Sequence, residues 1–254
     1  MHNHIIITAA VYEELSALID RVEKPVVSKV GGRKIVSGHI EGKSVKLLVT
    51  GPGLVNTVQA LTAAIEDSRP SLIIQTGCAG AFKESGLKIG DIGIATEEID
   101  VNLGIEPENG DGPLTELPFS LLDSHGSDIK NRYSLDHELA NLAFKAIKKG
   151  CADKNIGLIK GSFITVSTIT ATDARAEKLY KQYKPCMENM EGSGAACLSL
   201  HYDIPFLEIR SVSNIVGKRD LTAWNLPLAF ERGAIAVFDF VFFTTKLTKN
   251  TKKL

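Results

Sequence analysis

Short apolar runs rich in β-branched residues alternate along this chain with segments whose apolar residues recur at helical spacing. HIIITAAV (4–11) and SLIIQTGCAG (71–80) are of the first kind, and VNTVQALTAAIED (55–67), which lies between them, is of the second. Such alternation is typical of a parallel sheet with helices packed on its faces. We therefore predict an α/β layer sandwich with a largely parallel central sheet.

The same patterns predict the remaining elements. The two apolar runs of 33–51 flank Glu41-Gly42, which indicates a hairpin. Residues 101–134 are rich in Gly, Pro, Asn and Asp and are predicted to form a long loop. Further strands are expected at 91–99, 156–167 and 205–214, and helices from Glu13, over 135–150, 173–183 and 188–201, and from about Pro227.

Size and charge restrict the class of protein. The chain has 254 residues, 44% of them hydrophobic, which favours a single domain over 1–254 with a full core. Its 29 basic and 30 acidic residues give a net charge of −1, so neither nucleic acid nor a membrane is an expected partner. The longest apolar stretch, 234–243, is too short to span a bilayer and is predicted to be a buried helix.

Cysteine and histidine placement argues against metal chemistry. The 4 cysteines are widely separated and form no CxxC pair, which fits a reduced, cytoplasmic protein. The 6 histidines are scattered. No P-loop, HExxH or GxSxG motif is present.

Two glutamates follow predicted strands, and each admits two interpretations. Gly192 and Gly194 enter a helix of small residues, which indicates close packing and would bring Glu191 near the sheet. Alternatively, Glu191 simply favours a solvated helix N-terminus. Glu14 follows the first strand, so it either points toward the strand ends or lies on a solvated helix face.

Six short motifs, taken in order, resemble those of the purine nucleoside phosphorylase/nucleosidase superfamily over nearly the whole chain. They are AVYEE (10–14), TGPG (50–53), QTGCAGAF (75–82), KIGDI (88–92), ENMEG (188–192) and SVSN (211–214). The resemblance implies a three-layer α/β/α sandwich with a central mixed, largely parallel sheet. It also implies a nucleoside substrate, a homodimer or higher homo-oligomer, and no metal or organic cofactor.

The resemblance assigns roles residue by residue. In the nucleosidase branch, the glutamate that matches Glu14 activates the attacking water, and the glutamate that matches Glu191 holds the ribose hydroxyls. The methionine that matches Met190 packs on the sugar. Substrate contacts are expected from Cys78, Ala79, Gly80, Asn189 and Ser213, and the loop around 101–118 would help to close a neighbouring subunit's site.

Two positions favour water over phosphate as the nucleophile. Phosphorylases of the superfamily carry an arginine where this chain has Gln75, and a serine where it has Cys78. A neutral amide and a thiol make a poor dianion site. Hydrolysis with Glu14 as the base is therefore expected.

Asn214 indicates which class of purine base is released. The aminopurine nucleosidases carry an aspartate at this position, as the general acid for N7. An asparagine can donate to O6 of a 6-oxopurine and accept from a protonated N7. Asn214 therefore favours hypoxanthine or guanine, unless it merely caps the turn after its strand.

Two longer segments, SNIVGKRDLTAW (213–224) and LGIEPENGDGPLTEL (103–117), resemble the futalosine hydrolase branch of the superfamily. This branch releases hypoxanthine and dehypoxanthine futalosine from futalosine in menaquinone biosynthesis. Arg219 is a candidate for binding the substrate's distal carboxylate, or else pairs with Asp220. Trp224 either stacks on the substrate or packs the turn.

Three other functions remain open. Methylthioadenosine/S-adenosylhomocysteine nucleosidase is the nearest, with Asn214 as the main evidence against it. A phosphorylase acting on inosine is opposed by Gln75. A storage or nucleoside-binding protein of the same superfamily is opposed by the combination of Glu14, Met190 and Glu191.

Overall fold

A computed structural model describes residues 4–108, 110, 114–124 and 127–251. The strands are β1 (His4–Ala9), β2 (Glu23–Val30), β3 (Arg33–Ile40), β4 (Lys43–Val49), β5 (Leu72–Ala81), β6 (Ile92–Asp100), β7 (Leu122–Ser124), β8 (Ser127–Ile129), β9 (Arg132–Ser134), β10 (Leu158–Thr165), β11 (Met187–Asn189) and β12 (Phe206–Ile215). The helices are α1 (Tyr12–Ile19), α2 (Leu54–Asp67), α3 (His137–Asp153), α4 (Asp173–Tyr183), α5 (Gly192–His201) and α6 (Leu226–Thr251).

One large mixed sheet organises the molecule. Its strands lie in the order β11-β10-β6-β12-β5-β1-β4-β3-β2, and β9 pairs with β6. The pairings of β1 with β4 and β5, and of β5 with β12, are parallel. The carboxyl ends of β1, β5 and β12 therefore meet at one edge, which is where open α/β sheets bind ligands.

The sheet also closes on itself. The short strand β11 pairs in parallel with β10 and, on its other side, antiparallel with β5. The strands β5, β12, β6, β10 and β11 thus form a closed ring of hydrogen-bonded neighbours. Closure leaves β11 without a free edge, although it is only 3 residues long.

Helices cover both faces of the sheet, as predicted. Ile5 and Ile7 of β1 pack with α1, α3 and α6 in one core, whereas Ile6 packs with α2 and α5 in another. Because side chains alternate across a strand, one strand supplies both cores. The α/β/α sandwich is confirmed.

Several predicted elements are confirmed, and others differ. The hairpin turns at Glu41 and Gly42, whose φ values of 51° and 76° suit a tight turn between twisted strands. The segment 234–243 lies inside α6, and none of the described helices has the length and apolarity needed to cross a membrane.

Three boundaries were wrong. The helix predicted to end at Gly150 continues to Asp153. The helix predicted over 188–201 begins only at Gly192, because the preceding residues form β11. The long loop predicted over 101–134 contains β7, β8 and β9. Within it, residues 109, 111–113, 125 and 126 lie outside the described residues.

Candidate active site

A cavity of about 210 Å³ opens where β1, β5, β10 and β12 end. Its wall combines carboxylates, small residues and a few apolar side chains. The lining residues are Ala10, Val11, Glu14, Pro52, Cys78, Ala79, Gly80, Val166, Ile169, Glu188, Asn189, Met190, Glu191, Ser213, Asn214, Trp224 and Phe230.

Glu14 lies in the first turn of α1 with its carboxylate turned back under the end of β1. It is only 3% exposed. The backbone N–H groups of Ala10 and Val11 donate to Oε2 at 3.0 and 3.1 Å, and that of Cys78 donates to Oε1 at 2.9 Å. Burial raises the pKa of Glu14, and the charge of Glu191 adds to the rise. The charge of Arg210 and the N–H groups of Cys78 and Val11 oppose it. A carboxylate so tuned suits a general base.

Gly77 makes room for this carboxylate. Its φ of 134° is a conformation that side-chain-bearing residues rarely adopt, and a Cβ there would lie 2.5 Å from Oε1 of Glu14. The glycine-rich end of β5 therefore allows its backbone to approach the acid directly.

Glu191 also lines the cavity and immediately precedes α5. It is 5% exposed, and Oε1 accepts from the Gly53 N–H at 3.0 Å. Oε2 accepts from Arg210 Nη2 at 3.2 Å. Of the two interpretations of this glutamate, the buried one holds.

Arg210 is a buried arginine that donates hydrogen bonds to both Glu191 and Glu208. It is 1% exposed and donates from Nε to Glu208 Oε1 at 2.8 Å and from Nη1 to the Cys78 carbonyl at 3.4 Å. Burial alone would lower the pKa of Arg210, but Glu208, Glu191 and Glu14 raise it overall. It is therefore a permanent cation that contacts Glu191 and whose charge also acts on Glu14.

A second layer of acids supports Arg210. Glu98 and Glu208 are both fully buried, and the pKa of Glu98 is raised well above its ordinary value by burial and by the neighbouring Glu208 carboxylate. Thr165 Oγ1 and Asn189 Nδ2 each donate to Glu98 at 2.7 Å. A neutral Glu98 whose O–H donates a hydrogen bond to Glu208 removes the repulsion between the two carboxyl groups.

A β-bulge positions Asn214. Along β12, Val212 pairs with Ala79 and Asn214 with Gly80, so Ser213 is one extra residue. The Ser213 hydroxyl contacts the Ala79 carbonyl at 3.2 Å and Asn214 Oδ1 at 2.8 Å. Asn214 Nδ2 donates to the Ile215 carbonyl at 3.3 Å, and because a carbonyl only accepts, this contact orients the amide at the cavity.

The remaining predicted residues fall into two groups. Cys78, Ala79, Gly80, Met190 and Trp224 line the cavity. Burial, followed by the charge of Glu14, raises the pKa of the Cys78 thiol to about 12, so it is a neutral wall residue and not a nucleophile.

Asn189 lines the cavity, where a substrate contact was predicted, whereas Arg219 lies outside its wall. The Oδ1 atom of Asn189 accepts from the N–H groups of Glu191 and Gly192 at 2.9 and 2.7 Å, so the side chain caps α5. The guanidinium of Arg219 lies 5.7 Å from the centre of the Trp224 ring. Asp220 accepts from the Thr222 N–H instead of bracing Arg219.

Sequence reasoning missed several site residues. Ala10, Val11, Pro52 and Glu188 line the cavity and lie within the motifs AVYEE, TGPG and ENMEG, but the family resemblance assigned them no role. Arg210 had a usable signal, because charged residues at 208 and 210 interrupt an otherwise apolar strand. Phe230, in the first turns of α6, had none.

A family model described as the phosphorylase superfamily matches residues 4–250. The chain belongs to the phosphorylase superfamily. Within this superfamily it is 28% identical over 223 residues to the 5′-methylthioadenosine/S-adenosylhomocysteine nucleosidase of Bacillus thuringiensis subsp. konkukian, covering 87% of this chain and 90% of the relative.

Two solved structures share the fold of this chain. The nucleosidase of the same name from Neisseria meningitidis, in complex with methylthio-immucillin-A, gives a TM-score of 0.81 at 21% identity, covering 94% of this chain and 99% of that one. The futalosine hydrolase of Helicobacter pylori strain 26695 gives 0.80 at 20% identity, covering 95% and 98%.

Proposed function

We propose that this protein is a nucleosidase that hydrolyses the N-glycosidic bond of a purine nucleoside. The observation that carries the proposal is the Glu14 carboxylate, which is buried, held by three backbone N–H groups and turned to the cavity that Glu191 also lines. The names of the curated relatives support the same class of reaction.

The proposed chemistry needs two carboxylates with different tasks. Glu14 takes a proton from water as the water oxygen bonds to C1′ of the ribose. The bond from C1′ to N9 breaks, and its electron pair leaves with the purine. The purine gains a proton at N7 from solvent water, since the amide of Asn214 cannot supply one, and Glu14 later returns its proton to solvent. Glu191 accepts from the ribose hydroxyls, and its negative charge favours the cationic sugar of the transition state.

Water is preferred to phosphate because the described wall of the cavity contains no lysine or arginine. Arg210 lies just beneath, but its donors are directed to Glu208, Glu191 and the Cys78 carbonyl. Gln75, the position matched to the phosphate-binding arginine, is fully buried and outside the lining. A phosphate dianion would therefore meet carboxylates without a free cation.

Futalosine is the substrate we favour, with hypoxanthine and dehypoxanthine futalosine as products and menaquinone biosynthesis as the setting. Asn214 suits a 6-oxopurine, and Trp224 and Arg219 lie side by side next to the cavity. An aromatic ring beside a guanidinium suits the carboxyphenyl group beyond the ribose.

A second candidate is methylthioadenosine/S-adenosylhomocysteine nucleosidase activity. The observation that favours it is the name shared by the curated relative and the Neisseria structure. Under this alternative, Asn214 would have to form its hydrogen bonds with a 6-aminopurine base.

The deciding experiment is chromatographic detection of free base after incubation with futalosine, inosine or methylthioadenosine, each with and without phosphate. We expect hypoxanthine from futalosine at a rate that phosphate does not change. Strong acceleration by phosphate contradicts hydrolysis, and adenine from methylthioadenosine alone selects the second candidate.

Glu14→Gln tests the base. The amide keeps the size of the side chain but cannot take a proton from water, so we expect kcat to fall about 100- to 10,000-fold with little change in KM. Glu13→Gln, on the exposed side of the same helix turn, is the matched control. Equal rates for the two variants would contradict the role of Glu14.

A further inference from the structure

Glu188 is a buried carboxylate in the cavity wall that the proposed chemistry leaves without a task. It belongs to β11 and is 7% exposed. The Thr170 N–H donates to Oε1 at 3.1 Å, and the Thr170 hydroxyl lies 2.5 Å from Oε2. An ionised carboxylate has about four acceptor positions, so Thr170 leaves room for further donors.

The charge of Glu188 has little compensation from nearby positive charges. Among the described residues no basic side chain forms an ion pair with it, although Arg175 acts on it from a distance. Burial raises its pKa, and the two bonds from Thr170 oppose the rise. A carboxylate in such a place is stabilised by any N–H group that a ligand brings to it.

The sheet sets Glu188 beside Asn214. Gly80 of β5 pairs with Glu188 on one side and with Asn214 on the other. Neighbouring strands are about 4.8 Å apart, so the backbones of Glu188 and Asn214 lie roughly 10 Å from each other with Gly80 between them. Gly80 has no side chain, and a Cβ there would meet Val216 Cγ2 at 2.8 Å and Asn214 Nδ2 at 3.2 Å. Glu188, Gly80 and Asn214 all line the cavity.

The two purine classes present opposite groups to such a pair. A 6-oxopurine has an N1–H donor beside the O6 acceptor, whereas a 6-aminopurine has an N1 acceptor beside an amino donor. A carboxylate can only accept a hydrogen bond. It therefore binds the N1–H of a 6-oxopurine and repels the N1 lone pair of a 6-aminopurine. An asparagine beside it can donate to O6 and accept at N7.

We propose that Glu188 is a specificity-determining residue that accepts the N1–H of a 6-oxopurine base while Asn214 binds its O6 and N7. This inference rests on the proposed function and extends it, because it names the class of base from a second side chain. It applies to hypoxanthine and guanine alike, since both carry the N1–H.

Glu188→Gln tests the inference by calorimetric titration with the free bases hypoxanthine and adenine. Glutamine keeps the shape and both contacts with Thr170, since its oxygen accepts and its amide donates, but it can also donate to the N1 of adenine. We expect the ratio of adenine Kd to hypoxanthine Kd to fall about 10- to 100-fold, the effect of one charge-assisted hydrogen bond. Glu177→Gln, an exposed carboxyl on α4, is the matched control and should leave the ratio unchanged.

The unaltered protein gives an independent measurement. 1-Methylhypoxanthine lacks the N1–H and should bind at least about tenfold more weakly than hypoxanthine. Equal affinity for these two bases, preference for adenine, binding of no base, or an unchanged ratio in Glu188→Gln would each overturn the inference.

The two proposals fail in different ways. If the protein binds hypoxanthine through Glu188 but releases no base from any nucleoside, hydrolysis is wrong and the recognition stands. If it hydrolyses nucleosides with the same base preference in Glu188→Gln, hydrolysis stands and the recognition is wrong.

Discussion

Asn214 owes its place in the cavity to one extra residue in its strand. Regular alternation along β12 would direct successive side chains to opposite faces, but the bulge at Ser213 changes the phase just before Asn214. The Ser213 hydroxyl contacts Asn214 Oδ1, and Asn214 Nδ2 donates to the Ile215 carbonyl, which can only accept. The donor and acceptor ends of the amide are therefore distinguished before any ligand binds.

Asn214→Asp should reverse the base preference at this position. An ionised carboxylate loses the donor to O6, so we expect kcat/KM for futalosine to fall about 10- to 100-fold, with a gain on adenine nucleosides. The measurement is a side-by-side comparison of the two substrates. Asn141→Asp on α3 serves as the control, and unchanged selectivity in Asn214→Asp would refute the assignment.

At the scale of elements, α5 is the helix that most directly shapes the site. Its first residues, Gly192 to Ala196, are buried, and it packs against α2. Gly192 lies against the acid pair: a Cβ there would be 2.2 Å from Glu98 Oε1 and 2.6 Å from Glu208 Oε2. The small residues thus let a helix N-terminus approach two buried carboxyl groups.

Gly192→Ala should destabilise the protein. The added methyl must displace fixed carboxyl oxygens, so we expect a loss of about 1–3 kcal/mol in the free energy of unfolding, measured by urea titration. Gly194→Ala in the same helix is the matched comparison, because its Cβ would meet methyl groups of Leu54 and Val58 at 3.1 Å. A similar loss in both variants would contradict the special role of the acid pair.

The sequence foretold some of these elements better than others. The run of glycine and alanine after Glu191 correctly indicated close packing, since such a composition is costly in an exposed helix. β11 could not be foreseen, because three residues carry no detectable periodicity. Its pairing with β5 joins segments about a hundred residues apart, and only the folded sheet shows that Glu188 faces Asn214 across Gly80.

At the scale of the whole molecule, a chain of buried polar groups runs from the core to the cavity. Glu98 contacts Asn189 and Thr165, Arg210 contacts Glu208, and the same arginine reaches Glu191. Burial and the neighbouring Glu208 raise the pKa of Glu98 in the folded protein. Because the unfolded chain lacks this shift, proton binding at Glu98 is coupled to folding.

The sign of this coupling is definite. The pKa of Glu98 is raised in the folded state, so the folded protein holds a proton that the unfolded chain releases. The stabilisation is complete below the ordinary glutamate pKa and is lost as the pH rises toward the folded value. Glu98→Gln, which donates to Glu208 as the protonated acid does, should reduce the pH dependence.

We expect the free energy of unfolding of Glu98→Gln to decline less steeply than that of the unaltered protein as the pH rises above the ordinary glutamate pKa, by up to about 1.4 kcal/mol per pH unit. Urea titrations at several pH values measure this slope. Glu97→Gln, on the same strand but paired with Arg132 near the surface, is the control. A slope for Glu98→Gln equal to that of the unaltered protein would show that Glu98 carries no such proton.

The closed ring of strands has a thermodynamic consequence for ligand capture. β11 supplies Glu188 and Asn189, and it is hydrogen-bonded along both of its edges. Its backbone has therefore lost its conformational freedom during folding, before a nucleoside arrives. Binding then restricts mainly the motion of the nucleoside, so that more of the contact energy remains for orienting the glycosidic bond.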